Sequence, residues 1–135
     1  RLLNMGVEPF LVAASSNLIV AQRLLRRVCT QCKEEIKVPA NALVDLGFAP
    51  EEAKATKTYK GKGCANCSDT GYRGRIGVHE LLVATPAIKK LIQRRATVPE
   101  VVETAMKEGM RSLKQDGVIK VLQGHADLRQ VRAVC

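Results

Sequence analysis

Four of the five cysteines in this 135-residue chain form two Cys-x-x-Cys pairs, a spacing that can support metal chemistry. The first pair is Cys29 and Cys32, the second is Cys64 and Cys67, and 31 residues separate the two. A two-residue gap brings both sulfurs of a pair to one side of a tight turn, and two facing turns place four sulfurs at tetrahedral corners. Zn²⁺ favours four thiolates in this arrangement. The pattern predicts one structural zinc ion, with no open coordination position for catalysis.

Other uses of cysteine fit the sequence less well. A thioredoxin-like redox pair would begin a helix within a βαβ unit, and neither pair has that context. Two disulfides are typical of secreted proteins, whereas no charged-then-apolar signal sequence follows Arg1. We interpret the chain as a fragment of a longer cytoplasmic protein. Cys135 has no partner in sequence and is expected to be an exposed thiol.

The composition predicts a globular chain with an aliphatic core. Hydrophobic residues make up 46% of the chain but aromatic residues only 3%. The longest uncharged run, residues 9–22, includes two serines and an asparagine. Because a membrane helix needs roughly 20 mostly apolar residues, no transmembrane segment is expected.

The net charge of +9 raises an alternative interpretation, a nucleic-acid-binding zinc module. The basic residues are spread along the chain without a block of like charge, which is typical of solvated helix faces. Lysines and arginines near the cysteines would also offset the charge of a tetrathiolate centre. Only four aromatic side chains are available to stack on bases, so no specific nucleic-acid partner is expected.

Hydrophobic periodicity predicts an α+β fold. In the first two thirds of the chain, helices are predicted over residues 8–16 and 39–46, and strands over 18–28, 56–60 and 75–83. Glycines at 61, 63, 71, 74 and 77 surround the second cysteine pair, as expected where backbone turns sharply around sulfur. Helical and strand periods both fit residues 18–28, and we expect a buried strand that runs directly into the first pair.

After residue 85 the pattern becomes helical. Thr85-Pro86 is an N-cap followed by proline, and Thr97–Glu100 and Ser112–Gln115 are capping boxes. Gly109 and Gly124 are expected to end two of the helices, and Asp127 can cap a last one.

No catalytic residue is predicted. Residues 60–63 (KGKG) resemble phosphate-loop sequence, but a P-loop would need glycine at 56 and a hydroxyl residue at 63, where Thr56 and Gly63 stand. His79 and His125 are single histidines without a matching cluster, so each is expected to be an ordinary residue.

Several motifs together resemble the type IV pilus assembly ATPases and the type II secretion ATPases. They are residues 5–11 (MGVEPFL), 21–24 (AQRL), 61–67 (GKGCANC), 70–77 (TGYRGRIG), 79–82 (HELL) and 108–110 (EGM). The resemblance extends over nearly the whole chain. Pilus retraction ATPases lack the four-cysteine insertion and are less similar.

The resemblance implies a domain organisation. Residues 1–28 would be the end of a RecA-like ATPase domain, and residues 29–74 an inserted tetracysteine zinc subdomain. Residues 75–85 would return to the ATPase sheet, and residues 86–135 would form a helical C-terminal subdomain.

The resemblance also implies a function. The full-length parent would be a homo-hexameric motor that uses ATP and Mg²⁺, acts on an inner-membrane platform protein, and lies at the cytoplasmic face of the bacterial inner membrane. The family's P-loop would precede Arg1, so this fragment is expected to be inactive alone. Only the zinc ligands Cys29, Cys32, Cys64 and Cys67 transfer to it.

Overall fold

The computed structural model describes residues 1–45 and 48–135 as a mixture of helices and strands, the composition expected of an α+β fold. The strands are β1 (Leu18–Val28), β2 (Lys33–Ile36), β3 (Thr58–Gly61) and β4 (Tyr72–Val83). The helices are α1 (Pro9–Ser15), α2 (Ala40–Val44), α3 (Pro50–Ala55), α4 (Pro86–Gln93), α5 (Val98–Lys107), α6 (Leu113–Leu122) and α7 (Leu128–Val134). β1 is paired with β4, and β2 with β3 as an antiparallel hairpin.

The chain divides into two compact units. The first unit comprises residues 1–21 and 80–111, and the second, here called the cysteine unit, comprises residues 22–79 and 112–135. The resemblance implies domain limits that are defined for a larger parent protein. Those limits stay a prediction.

An aliphatic cluster forms the core of the cysteine unit, as the composition predicts. Leu25 of β1, Val78 of β4 and Val121 of α6 are completely buried, and Val131 of α7 is nearly so. Leu43 and Phe48 join the same cluster. Burying each such side chain contributes about 1.5–3 kcal/mol, so this cluster is the main apolar stabilisation of the unit.

The predicted caps set the helix boundaries. Thr97 and Ser112 form reciprocal capping boxes at the starts of α5 and α6, and the Asp127 carboxylate accepts the N–H of Gln130 at the start of α7. Gly117 lies inside α6, where glycine costs about 1 kcal/mol relative to alanine. A Cβ there would lie 3.1 Å from Cγ1 of Val131, so the glycine permits close packing of α6 against α7.

The first unit is held by helix packing. α1 packs against α4, and α4 against α5. Ile88 is fully buried at its centre, with Val12, Ala13 and Ala105 almost so.

The structure differs from the predicted elements in four places. The strand β1 was expected to be buried, but most of its side chains are exposed. Two elements were not predicted, and one is shorter than predicted. β2 (KEEI) has mostly charged side chains and only four residues, and α3 (PEEAKA) has fewer than two turns, so neither shows a clear apolar period. The helix expected over 39–46 is α2, which ends at Val44. Its expected end at Leu46 lies outside the described residues.

No helix among the described residues has both the length and the apolar character required to cross a bilayer.

Candidate metal centre

The four paired cysteines come from two turns that adjoin the strands. Cys29 follows β1 directly, and Cys32 precedes β2. Cys64 is the N-cap of a 3₁₀ turn formed by Ala65–Cys67. The turns are joined by backbone hydrogen bonds from Cys29 N–H to the Gly71 carbonyl (2.9 Å) and from Lys62 N–H to the Cys32 carbonyl (3.0 Å). The backbone therefore fixes both pairs facing each other.

The four sulfurs have the spacing of a tetrahedral metal site. All of them lie within 4.8 Å of one another. Individual Sγ–Sγ distances are 3.9 Å for Cys29–Cys64, 3.8 Å for Cys32–Cys67 and 3.7 Å for Cys64–Cys67. Four sulfurs bound at 2.3 Å around one metal would lie about 3.8 Å apart, whereas a disulfide is about 2.05 Å long. The cysteines are free thiols in an arrangement that could hold one metal ion.

Backbone N–H groups around the site donate hydrogen bonds to two of the sulfurs. The N–H of Gly63 donates to Cys32 Sγ, and the N–H groups of Cys64 and Gly71 donate to Cys67 Sγ, each at 3.3 Å. Such donors favour thiolate over thiol and orient the ligands around a cation. The donor set therefore fits a soft divalent metal.

Glycine is required where the two turns cross. A Cβ on Gly61 would lie 1.9 Å from the carbonyl oxygen of Gly71. Gly63 has φ +106° and Gly71 has φ +77°, in the region that side chains disfavour. The glycine-rich sequence around the second pair, noted from sequence alone, is therefore explained by close backbone approach.

The local environment gives the thiols of the cluster different pKa values. A backbone hydrogen bond from Gln31 lowers the pKa of Cys29. Burial raises the pKa of Cys67, but backbone hydrogen bonds from Cys64 and Gly71, together with the neighbouring sulfurs of Cys64 and Cys32, outweigh it and bring that pKa to about 7. Burial raises the pKa of Cys32 to about 11, and the neighbouring sulfurs also raise it. A bound cation would favour ionisation of all four thiols, because its positive charge offsets the adjacent thiolates.

The nearby lysines have other partners than the sulfurs. Lys57, just before β3, pairs with Glu35 of β2 at 3.2 Å, and Lys62, just after β3, pairs with Glu34 of β2 at 3.4 Å. Lys33 lies 4.4 Å from the ring centre of Tyr59. The hydrogen bonds to Cys32 and Cys67 described above come from backbone N–H groups and not from these lysines.

The segment between α6 and α7 is bonded to the cysteine turns. The N–H of Val28 donates to the His125 carbonyl at 2.9 Å, and Lys33 Nζ donates to the Gly124 carbonyl at 3.3 Å. The Tyr72 hydroxyl donates to Asp127, which is 5% exposed. Sequence reasoning assigned Asp127 only a capping role and missed this link, because Tyr72 is 55 residues away in sequence.

Other residues considered from sequence lie apart from the cluster. Cys135 is exposed at the end of α7, as expected. The backbone N–H of His79 donates to Asp116, and burial lowers the pKa of His125, with nearby cations contributing. Within the described parts of the chain, the four cysteines are the one group of three or more potential metal ligands.

Comparison with known proteins extends beyond the site to the whole chain. The chain is 42% identical over 134 residues to the type IV pilus assembly ATPase PilB of Pseudomonas aeruginosa, and 43% identical over 133 residues to that of Thermus thermophilus. It is 38% identical over 138 residues to the type II secretion system ATPase E of Vibrio cholerae. These alignments cover 98–99% of the chain but only 24%, 15% and 26% of the relatives. Residues 1–133 match the model of the type II/IV secretion system proteins, and the chain belongs to that family.

Proposed function

We propose that the chain is the C-terminal portion of an ATP-driven motor for type IV pilus assembly, in which the four paired cysteines hold one structural zinc ion. The observation that carries this proposal is similarity along 98–99% of the chain to proteins named as pilus assembly ATPases. Identity to those relatives is 42–43%, against 38% for the type II secretion ATPase, which favours pilus assembly over secretion.

The exposure of β1 and β4 supports the proposal that these strands belong to the end of a RecA-like sheet. Apolar side chains of both paired strands are 43–57% exposed, namely Leu18, Ile19, Val20 and Leu24 of β1 and Leu81 and Val83 of β4. Exposed apolar strands favour association with further structure. We propose that residues 1–28 and 75–85 complete the parent's ATPase sheet, that residues 29–74 are inserted between them, and that residues 86–135 are the C-terminal helical part.

Zinc is the metal proposed for the cluster because four thiolates at these distances match its preferred ligands and geometry. When bound, the ion would cross-link the two turns and supply folding free energy. The chain's own residues hold the site: the backbone hydrogen bonds fix the turns, and the N–H groups of Gly63 and Gly71 orient the sulfurs. This role makes the cysteine unit a rigid partner-contacting element of the motor.

The remaining parts of the proposal concern the full-length parent. It would assemble as a homo-hexamer at the cytoplasmic face of the inner membrane, bind ATP and Mg²⁺, and act on a platform protein there. The residues of this chain contribute structure and contacts, and the chain alone is expected not to hydrolyse ATP.

The test combines metal analysis with an activity assay. We expect elemental analysis to find one zinc per chain, and phosphate release from ATP to be measurable for the full-length parent but absent for the chain alone. Zinc-free protein with intact structure would refute the metal assignment. A full-length parent without ATPase activity would refute the motor, and hydrolysis by the isolated chain would refute its non-catalytic role.

A further inference from the structure

A groove in the cysteine unit lies between the β2–β3 hairpin and α7. Its volume is about 490 Å³, within the usual range of roughly 300–1,000 Å³ for ligand sites. The groove is distinct from the four cysteines, none of which lines it.

The groove combines an apolar lining with basic side chains. Ile36 and Val38 line the hairpin side, and Leu128 and Ala133 line the helix side. Lys60 adds a positive charge from β3, and Arg129 and Arg132 add two from α7. The two arginines are three residues apart on the helix, so they point to the same side.

The basic side chains of the groove keep N–H donors that a ligand could use. No ion pair in the described portion of the protein includes Lys60, Arg129 or Arg132. Arg132 donates one hydrogen bond to the Ala42 carbonyl and keeps further N–H donors. The carboxylate in the lining, Asp127, is buried and already accepts from Tyr72 and Gln130.

Hydrogen bonds hold both walls of the groove. Thr58 Oγ1 donates to the Ile36 carbonyl at 2.8 Å, which fixes the end of the hairpin. The Tyr72–Asp127 hydrogen bond fixes the start of α7. A preformed groove loses less conformational entropy when a ligand binds, so modest contacts suffice for affinity.

We propose that this groove binds an acidic peptide segment of a partner protein, with an aliphatic side chain on the apolar lining and flanking carboxylates on Lys60, Arg129 and Arg132. An inorganic anion would leave the apolar lining uncovered, whereas an aliphatic peptide without acids would leave the cations unpaired. Guanidinium groups bind carboxylates with two parallel hydrogen bonds, which gives the arginines the larger share of specificity.

The charge of the whole unit also favours an acidic partner. Residues 22–79 and 112–135 contain 15 lysines and arginines against 8 aspartates and glutamates. An excess of positive charge accelerates encounter with an acidic segment and discriminates against basic ones. The inference rests on the proposed partner-contacting role of the cysteine unit and specifies the chemistry of the partner.

The test is a binding titration of the whole, metal-loaded chain by ¹⁵N NMR. The probe is an acetylated and amidated hexapeptide that alternates leucine and glutamate, compared with a leucine–lysine and a serine–glutamate hexapeptide of equal length. We expect the leucine–glutamate peptide to shift the amide signals of β3 and α7, and each comparison peptide to bind at least tenfold more weakly. Equal binding of the serine–glutamate peptide, or shifts confined to other elements, would overturn the proposal.

Matched variants separate the groove from overall charge. Lys60→Glu combined with Arg129→Glu should weaken peptide binding at least tenfold, while Lys54→Glu combined with Arg111→Glu, with the same charge change outside the groove, should alter it less than threefold. Ala133→Trp, at an exposed lining position, should block the groove without changing charge. Equal losses in the groove and control variants would contradict the inference.

A membrane surface is the competing occupant. Vesicles of phosphatidylglycerol and phosphatidylcholine are sedimented with the same variants. If the groove variants lose vesicle binding but bind the peptide as tightly as the wild type, the peptide assignment is overturned. Zinc content is measured in each sample, so that loss of the metal, which bears on the proposed function, is distinguished from loss of the groove.

Discussion

The two units of the chain are stabilised in different ways. In the first unit, local helices pack through a few buried side chains such as Ile88, and hydrogen bonds at helix starts fix their ends. In the cysteine unit, residues far apart in sequence are joined by backbone hydrogen bonds at the turns and by the cluster of four sulfurs.

The difference explains why one unit depends on chemistry that the other lacks. The loop between Cys32 and Cys64 contains short elements that cannot bury much apolar surface by themselves. Closing such a loop costs conformational entropy, which a metal that binds only the folded state offsets. In the first unit, α4 and α5 are joined by a short connection, α1 packs against α4 from a distant part of the chain, and none of the four cysteines is present. Perturbation of the metal should therefore affect the units unequally.

Removing the metal should give the largest effect. Cys64→Ser, or treatment with a zinc chelator, should abolish metal binding and unfold the cysteine unit, because structural zinc supplies about 10 kcal/mol or more of folding free energy. Hydrogen exchange followed by mass spectrometry should show loss of protection in β2, β3 and α7, while α4 and α5 keep theirs. Cys135→Ser, which removes an exposed thiol outside the cluster, is the control and should retain metal. Unchanged protection in the zinc-free protein would contradict the comparison.

Gly61→Ala should destabilise the cysteine unit by about 4 kcal/mol, since its Cβ would overlap the backbone of Gly71 beside the sulfurs. Gly74→Ala is the matched control: Gly74 also lies near the second pair but has open space around it. Because Gly74 has φ +78°, which a side chain disfavours, Gly74→Ala should destabilise the protein by only about 1–2 kcal/mol. Urea unfolding and zinc affinity are the measurements. Similar losses in both variants would show that the close approach at Gly61 is unimportant.

Ile88→Ala tests the opposite unit. The side chain is fully buried, so its truncation should destabilise the first unit by about 3 kcal/mol. We expect hydrogen exchange to accelerate in α1, α4 and α5, with zinc content unchanged. Val98→Ala, at a residue 75% exposed on α5, should have almost no effect. Loss of zinc from the Ile88→Ala protein would mean that the two units do not respond separately.

The same contrast governs how much of the structure could be predicted from sequence. Helices of the first unit follow local signals, and the caps at Thr85 and Thr97 are where their residue types predicted them. The cysteine spacing correctly predicted that four distant thiols converge. These features depend on residues close in sequence or on a specific spacing rule.

The elements that escaped prediction depend on contacts between distant residues. β2 is stabilised by pairing with β3, whose partner residues lie more than 20 positions away. The groove beside α7 likewise arises only when the hairpin and the helix are brought together. β2 has no local apolar period, and the groove depends on residues that are far apart in sequence. No pattern in a short window of sequence could therefore reveal either of them.

The Tyr72–Asp127 hydrogen bond connects the cysteine turns to α7 through a single hydroxyl. Its removal should have the smallest effect on stability of the changes considered. Tyr72→Phe leaves a buried carboxylate oxygen without its donor, so it should cost about 1–2 kcal/mol at neutral pH. Tyr59→Phe is the control, because no hydrogen bond of the Tyr59 hydroxyl occurs among the described residues.

The pH dependence of that hydrogen bond provides an independent check. Burial and the hydrogen bond to Asp127 raise the pKa of Tyr72 from 10.0 to about 12. Because the folded-state pKa lies above the unfolded value, the hydroxyl's contribution is fully present below pH 10 and is lost as pH rises through 12. The stability difference between wild type and Tyr72→Phe, measured by urea unfolding, should therefore stay constant from pH 7 to 9 and shrink by pH 11. A difference that persists unchanged at pH 11 would mean that the cost of Tyr72→Phe does not come from losing the protonated hydroxyl that donates to Asp127.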